Sequence, residues 1–282
     1  MLGDGVTEYT FLRCRKEERD GSAYLFAGSP YSYRMSHRLA PILDRLKLTY
    51  EEAFPEAPML RIGVIAEPRN GAAGNWSVAE SSTMGPIFVI EVDPELDGNE
   101  LVFAHELAHP ILRLLGVPTA LSIGFVDKRI GDEFTSASHH PFIFDLLEQV
   151  GYGDEQRAFS LESADTELYK LSKADFSSLS YTEELYQIWL ALWYFDLYML
   201  VRDRYDVIYS IHKEKAPEVA DKMALVRESW MLATRSKGVI DQSAPAMCIV
   251  EFQSHLLDRL ELKDRVDFQY RDEWETWLFD RV

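Results

Sequence analysis

Apolar residues recur every three or four positions along several stretches of this 282-residue chain and run nearly unbroken over a few short others, so periodicity sorts much of it into helices and strands. Over residues 36–53, Leu39, Ile42, Leu43, Leu46 and Leu48 fall at helical spacing among charges, and Pro55 and Pro58 close the element. Such a helix is expected to pack on a sheet. Residues 59–66 and 86–92 read as strands, separated by a polar, glycine-rich segment at 70–75. A second helical pattern follows, carried by Leu101, Val102, Ala104, Leu107, Ala108, Ile111, Leu112 and Leu115. Asp97, Gly98 and Asn99 supply its turn and cap, and Gly116 and Pro118 its stop.

Beyond Pro118 the pattern is helical. Residues 140–150 read as a short helix with Pro141 in its first turn and Gly151 after its end. Ser180-Tyr-Thr-Glu183 has the form of a capping box opening a long helix through about Arg202. Its Leu185, Ile188, Trp189, Leu192, Trp193, Phe195 and Leu197 are apolar over much of the circumference, which predicts a central helix whose aromatics form core. Residues 216–236 and 245–262 predict two more amphipathic helices around the breaker Lys237-Gly238, and Trp274, Trp277 and Phe279 are read as docking the C-terminal tail. Residues 1–34 are mixed, with a basic-acidic cluster at 13–20 and a tyrosine-bearing turn expected around Ser29-Pro30-Tyr31-Ser32-Tyr33. The expectation is an α+β chain with an N-terminal α/β lobe at 1–118, built on a small mixed sheet, and a mainly α-helical lobe at 119–282.

Composition narrows the function classes. With 47 acidic and 29 basic side chains the net charge is −18, which argues against nucleic acid and anionic membrane surfaces as partners. Cys14 and Cys248 are the only cysteines, too few for a disulfide framework or a thiolate metal site. The first eight residues lack the basic start and apolar run of a signal peptide, and no segment has the length and apolarity of a bilayer span. A soluble, cytoplasmic protein is expected.

The chemistry concentrates in the second helical pattern. His105 and His109 are four residues apart, so on a helix their rings share one face, one turn apart, and can converge on a cation. Glu106 points about 100° around the helix from His105, within reach of a water held at such a cation. Pro110 lacks the N–H that would bond back to the Glu106 carbonyl, so a kink or loosening is expected at the second histidine.

His105-Glu106-Leu-Ala-His109 is the HExxH pattern, and the chain thereby resembles the zinc metallopeptidases. Helix, strands and HExxH helix over residues 36–118 resemble in order the upper lobe of zincin-type peptidases, about a third of the chain. The resemblance implies Zn2+ as cofactor, a peptide or protein substrate, His105 and His109 as ligands, and Glu106 as the base that takes a proton from the attacking water. It also implies an edge strand pairing with extended substrate, for which residues 87–92 are the candidate. An interior strand is the other reading of those residues.

A catalytic zinc usually takes three protein ligands, so one more is required, and the helical lobe is expected to complete site and cleft. His140 is the first candidate: it lies 31 residues after His109, and four of the seven histidines fall between 105 and 140. Glu133 is the second, at a spacing compatible with peptidases whose third ligand is glutamate. Glu184 and His139 follow. Asp132, Asp145 and Glu148 are the acids close enough in sequence to back a ligating histidine. The alternative to a peptidase is a catalytically inactive zincin-like protein that binds metal and serves regulation or interaction, kept open by Pro110 and by the unassigned third ligand.

Overall fold

A run of apolar residues without alternation marks a strand buried on both faces, and residues 87–92, apolar but for Glu91, approach such a run. In the structure, a computed structural model that describes residues 6–19, 22–56, 59–67, 74–81, 85–123, 128–241 and 243–270, these residues are buried throughout. The described chain is mixed α+β and divides into two units, residues 6–116 with 150–152, and 117–149 with 153–270. Among the described residues no helix is long and apolar enough to cross a membrane.

The first unit carries a five-stranded mixed sheet. Strands β1 (Val6–Arg19) and β2 (Ser22–Ser36) form an antiparallel hairpin; β3 (Arg61–Ala66), β4 (Gly74–Ser81) and β5 (Gly85–Val92) complete the order β2-β1-β3-β5-β4. β3 runs parallel to β1 and to β5, whereas β4 is antiparallel to β5. Residues 87–92 are therefore interior, paired to Arg61–Ala66 on one side and to β4 on the other, and the edge beside them is β4. That corrects the expectation of an edge at 87–92. The hairpin escaped detection because Pro30 punctuates β2; it is tolerated there because β2 is an outer strand, and it sits opposite Leu12, where the register shifts.

Two helices complete the unit, α1 (Ala40–Ala53), entered through a 3-10 turn at His37–Leu39, and α2 (Glu100–Leu114), which packs against it. α1 buries Ile42, Leu46 and Tyr50, and the Tyr50 ring meets Phe88 of β5 at 5.9 Å, so this helix does lie on the sheet. Leu12, Cys14, Ile65, Ile87 and Val89 form a separate apolar cluster.

The second unit is mainly helical, with β6 (Thr119–Ser122) paired antiparallel to β7 (Val266–Gln269). Its helices are α3 (Lys128–Gln149), α4 (Gly153–Leu171), the short α5 (Leu179–Thr182), α6 (Glu184–Leu200), α7 (Arg202–Lys215), α8 (Pro217–Ala233) and α9 (Pro245–Arg259). α6 packs against α3, α4, α5, α7 and α8, the central place its apolar circumference predicts. Phe195, Trp230 and Phe252, from α6, α8 and α9, meet with centroids 5.1 to 6.0 Å apart.

Expectations for α3 and α6 change here. α3 begins twelve residues before His140 and holds Pro141 in its interior, its first half hidden in sequence by Gly131, Thr135, Ser136 and Ser138, all weak helix formers. Gly131 is required by contact: a Cβ there would lie 2.8 Å from the Ser122 backbone nitrogen, so its absence lets α3 approach β6. The helix expected to open at Ser180 starts instead at Glu184, and its N-cap, Glu183, makes no side-chain capping bond. The polar helices α4 and α7 bury few apolar side chains, so the sequence does not mark them. Trp274, Trp277 and Phe279 lie outside the described residues.

Candidate metal centre

In the first unit α2 is fixed at its start by two carboxylates. Asn99 is the N-cap, its side chain accepting from the Val102 N–H at 3.2 Å, and Gly98 enters the turn at φ +87°. Asp97, just before it, accepts from Arg13 Nη1 at 2.8 Å and from the Tyr33 hydroxyl at 2.9 Å, while Arg13 also donates to Tyr33 Oη at 2.6 Å. Burial, with Asp97 alongside, holds the Tyr33 phenol well above its ordinary pKa. Glu100, in the first turn, accepts from the Ser36 hydroxyl at 2.8 Å, from the Ser36 backbone N–H, and from the Tyr152 hydroxyl at 3.3 Å. Burial, ahead of the effect of Glu100, pushes Tyr152 up to about 12, and the Arg38 guanidinium lies 4.3 Å from its ring. A negative charge at this end also complements the helix dipole.

The anchored helix carries the histidine pair. The His105 and His109 rings lie with centroids 5.2 Å apart at 67°, on one face as the spacing requires. Glu106 and His109 are buried, at 7% and 6% exposure, and His105 is half-buried. Burying a carboxylate is costly unless it is paired or used, so Glu106 is the one acidic group on α2 that burial singles out. α2 stays helical through Pro110 to Leu114 and ends at Gly116, whose φ of +91° is the left-handed stop glycine tolerates.

In the second unit His140 sits mid-helix on α3, and its Nδ1 lies 2.8 Å from both carboxylate oxygens of Asp196 on α6. The Phe144 ring, one turn on, is 5.1 Å from the imidazole. Glu133 lies two turns before His140, about 10 Å along the axis, too far to share one ion with it. Burial, then the charge of Asp196, raises its carboxyl to about 8, while a hydrogen bond with Trp189 of α6 opposes the shift. Glu133 with Trp189 and His140 with Asp196 thus mark one contact face, each pair seven residues beyond the last on both helices.

The remaining candidates are engaged elsewhere. His139 is fully buried with its Nε2 3.4 Å from the Pro118 carbonyl oxygen. Glu184 opens α6 in ion pairs with Arg265 at 3.0 Å and Lys222 at 3.5 Å, about 18 Å along the axis from Asp196. Glu148 pairs with Arg157, and Asp145 accepts from Gln149, each at 2.7 Å. Asp196 was missed in sequence although a signal exists: it is the only Asp, Glu, Lys or Arg between Glu184 and Arg202, and an isolated charge on an apolar helix calls for a partner.

No family model, curated protein or solved structure matches this chain.

Proposed function

We propose that the chain is a zinc-dependent hydrolase of the zincin type, cleaving peptide bonds, with His105, His109 and His140 as the ligands of one zinc ion and Glu106 as general base. The observation that carries this reading is the buried Glu106 directly after the first of two histidines whose rings share one face of a buried helix. The donor set suits zinc: three imidazoles leave a fourth position open, and His140 has the carboxylate partner that a ligating histidine takes at its other nitrogen. Zinc bound there would supply Lewis acidity.

The chain's own groups supply the rest. Glu106, as carboxylate, accepts the proton of the attacking water and passes it to the leaving amine nitrogen. The Asp97 and Glu100 anchors hold α2, and with it the spacing of His105, Glu106 and His109.

Elemental analysis and a peptide-library digest test the proposal. We expect one zinc per chain, lost in His105→Ala and His109→Ala. Glu106→Gln should keep the metal and lose cleavage by about 10²- to 10⁴-fold. Unchanged turnover in Glu106→Gln refutes the mechanism, and stoichiometric zinc without cleavage of any peptide leaves the inactive metal-binding protein as the answer.

A further inference from the structure

We infer that Asp196 is the positioning residue of His140: it holds the imidazole as the Nδ1–H tautomer and so reserves Nε2 for the metal. The inference rests on the assignment of His140 as a ligand. Both Asp196 oxygens lie 2.8 Å from Nδ1, so a carboxylate, which only accepts, faces this nitrogen and requires a proton on it. Nε2 is then the atom that keeps a lone pair. Phe144 packs against the ring at 5.1 Å, limiting its rotation, and Asp196 is carried by the central helix of the unit rather than by a loop. His139 next door places its Nε2 3.4 Å from the Pro118 backbone carbonyl oxygen.

The tautomer can be read without metal. In nitrogen-15 spectra of the metal-free full chain, His140 should show a protonated Nδ1 and an unprotonated Nε2, and Asp196→Ala should shift it toward the Nε2–H form. Zinc affinity, measured by competition with a chromogenic chelator, should fall about 10- to 100-fold in Asp196→Ala. Asp196→Asn, which keeps volume and an acceptor oxygen, should fall less and should serve if the alanine variant folds poorly. Substituted cobalt should report the same order through its visible absorption, with melting temperature as the control for a merely structural role.

His140→Ala provides the separation. If His140→Ala weakens zinc binding while both Asp196 variants bind as the parent does, the inference is wrong and the ligand assignment stands. If His140→Ala binds zinc unchanged, or the parent binds none, the assignment fails and takes the inference with it. A protonated Nε2 in the metal-free parent also overturns it.

Discussion

His212 of α7 is fully buried, and its protonation should cost the fold a measurable part of its stability in mild acid. Tyr194 of α6 donates its hydroxyl proton to Glu167 of α4 at 2.8 Å, which leaves the phenol oxygen to accept from His212 Nε2 at 3.1 Å. That order places the proton of the neutral ring on Nε2 and leaves Nδ1 as a buried lone pair with no hydrogen-bond partner among the described residues. The walls are aromatic: Phe176, Tyr181 and Tyr194 have ring centroids 5.9, 6.1 and 5.3 Å from the imidazole. Among the described residues, Glu167 brings a charge to this cluster through Tyr194, and Lys170 lies 3.7 Å from Glu167. Burial lowers the His212 pKa from 6.5 to about 4.

A base with a depressed pKa in the fold is protonated first in the unfolded chain. No stability is lost on this account above about pH 6.5, and the loss grows as the pH falls toward about 4. At about pH 5 the two pKa values correspond to roughly 2 kcal/mol, a sizeable part of the 5–15 kcal/mol typical of a domain. Other titrations act in the same range, so the quantity to measure is a difference. Urea unfolding of the parent and of His212→Gln, each at about pH 7.5 and about pH 5, should show the parent losing roughly 2 kcal/mol more than the variant. Equal losses in the two proteins would refute the reasoning.

Two further expectations follow from α2 and α3. Asn99→Ala removes the side-chain cap from the Val102 N–H and should lower unfolding free energy by about 1 kcal/mol, read by urea titration, with zinc stoichiometry unchanged. Glu133 has a folded pKa of about 8, above its ordinary 4.5, so the stability it contributes is complete below about pH 4.5 and declines as the pH rises toward 8. Glu133→Gln, which does not titrate, should therefore melt increasingly above the parent as the pH rises from 5 to 8; a constant difference across that range would contradict the buried, protonated carboxyl.

Much of the molecule was legible in the linear pattern. α1, α2, α6, α8 and α9 appear where the apolar spacing puts them, because each buries a wide stripe whose period the chain records. Strands β3 and β5 are equally plain, being short and mostly apolar. The hairpin β1–β2 and the edge strand β4 are not, since an outer strand tolerates proline, glycine and polar residues that look like a loop. α4 and α7 stay hidden because a mostly polar helix takes its stability from neighbours that the sequence does not name.

The candidate site divides along the same line. His105, Glu106 and His109 could be placed from spacing alone, since the geometry of one helix is local and a turn of 3.6 residues settles which side chains share a face. What only the folded chain decides depends on contacts between elements distant in sequence. Asp97 meets Arg13 and Tyr33, Glu100 meets Ser36 and Tyr152, and Asp196 meets His140 across 56 residues. Local periodicity determines which groups a helix offers, but the protonation, tautomer and anchoring of those groups depend on burial and charge brought by other helices and strands, and these exist only once the tertiary structure has formed.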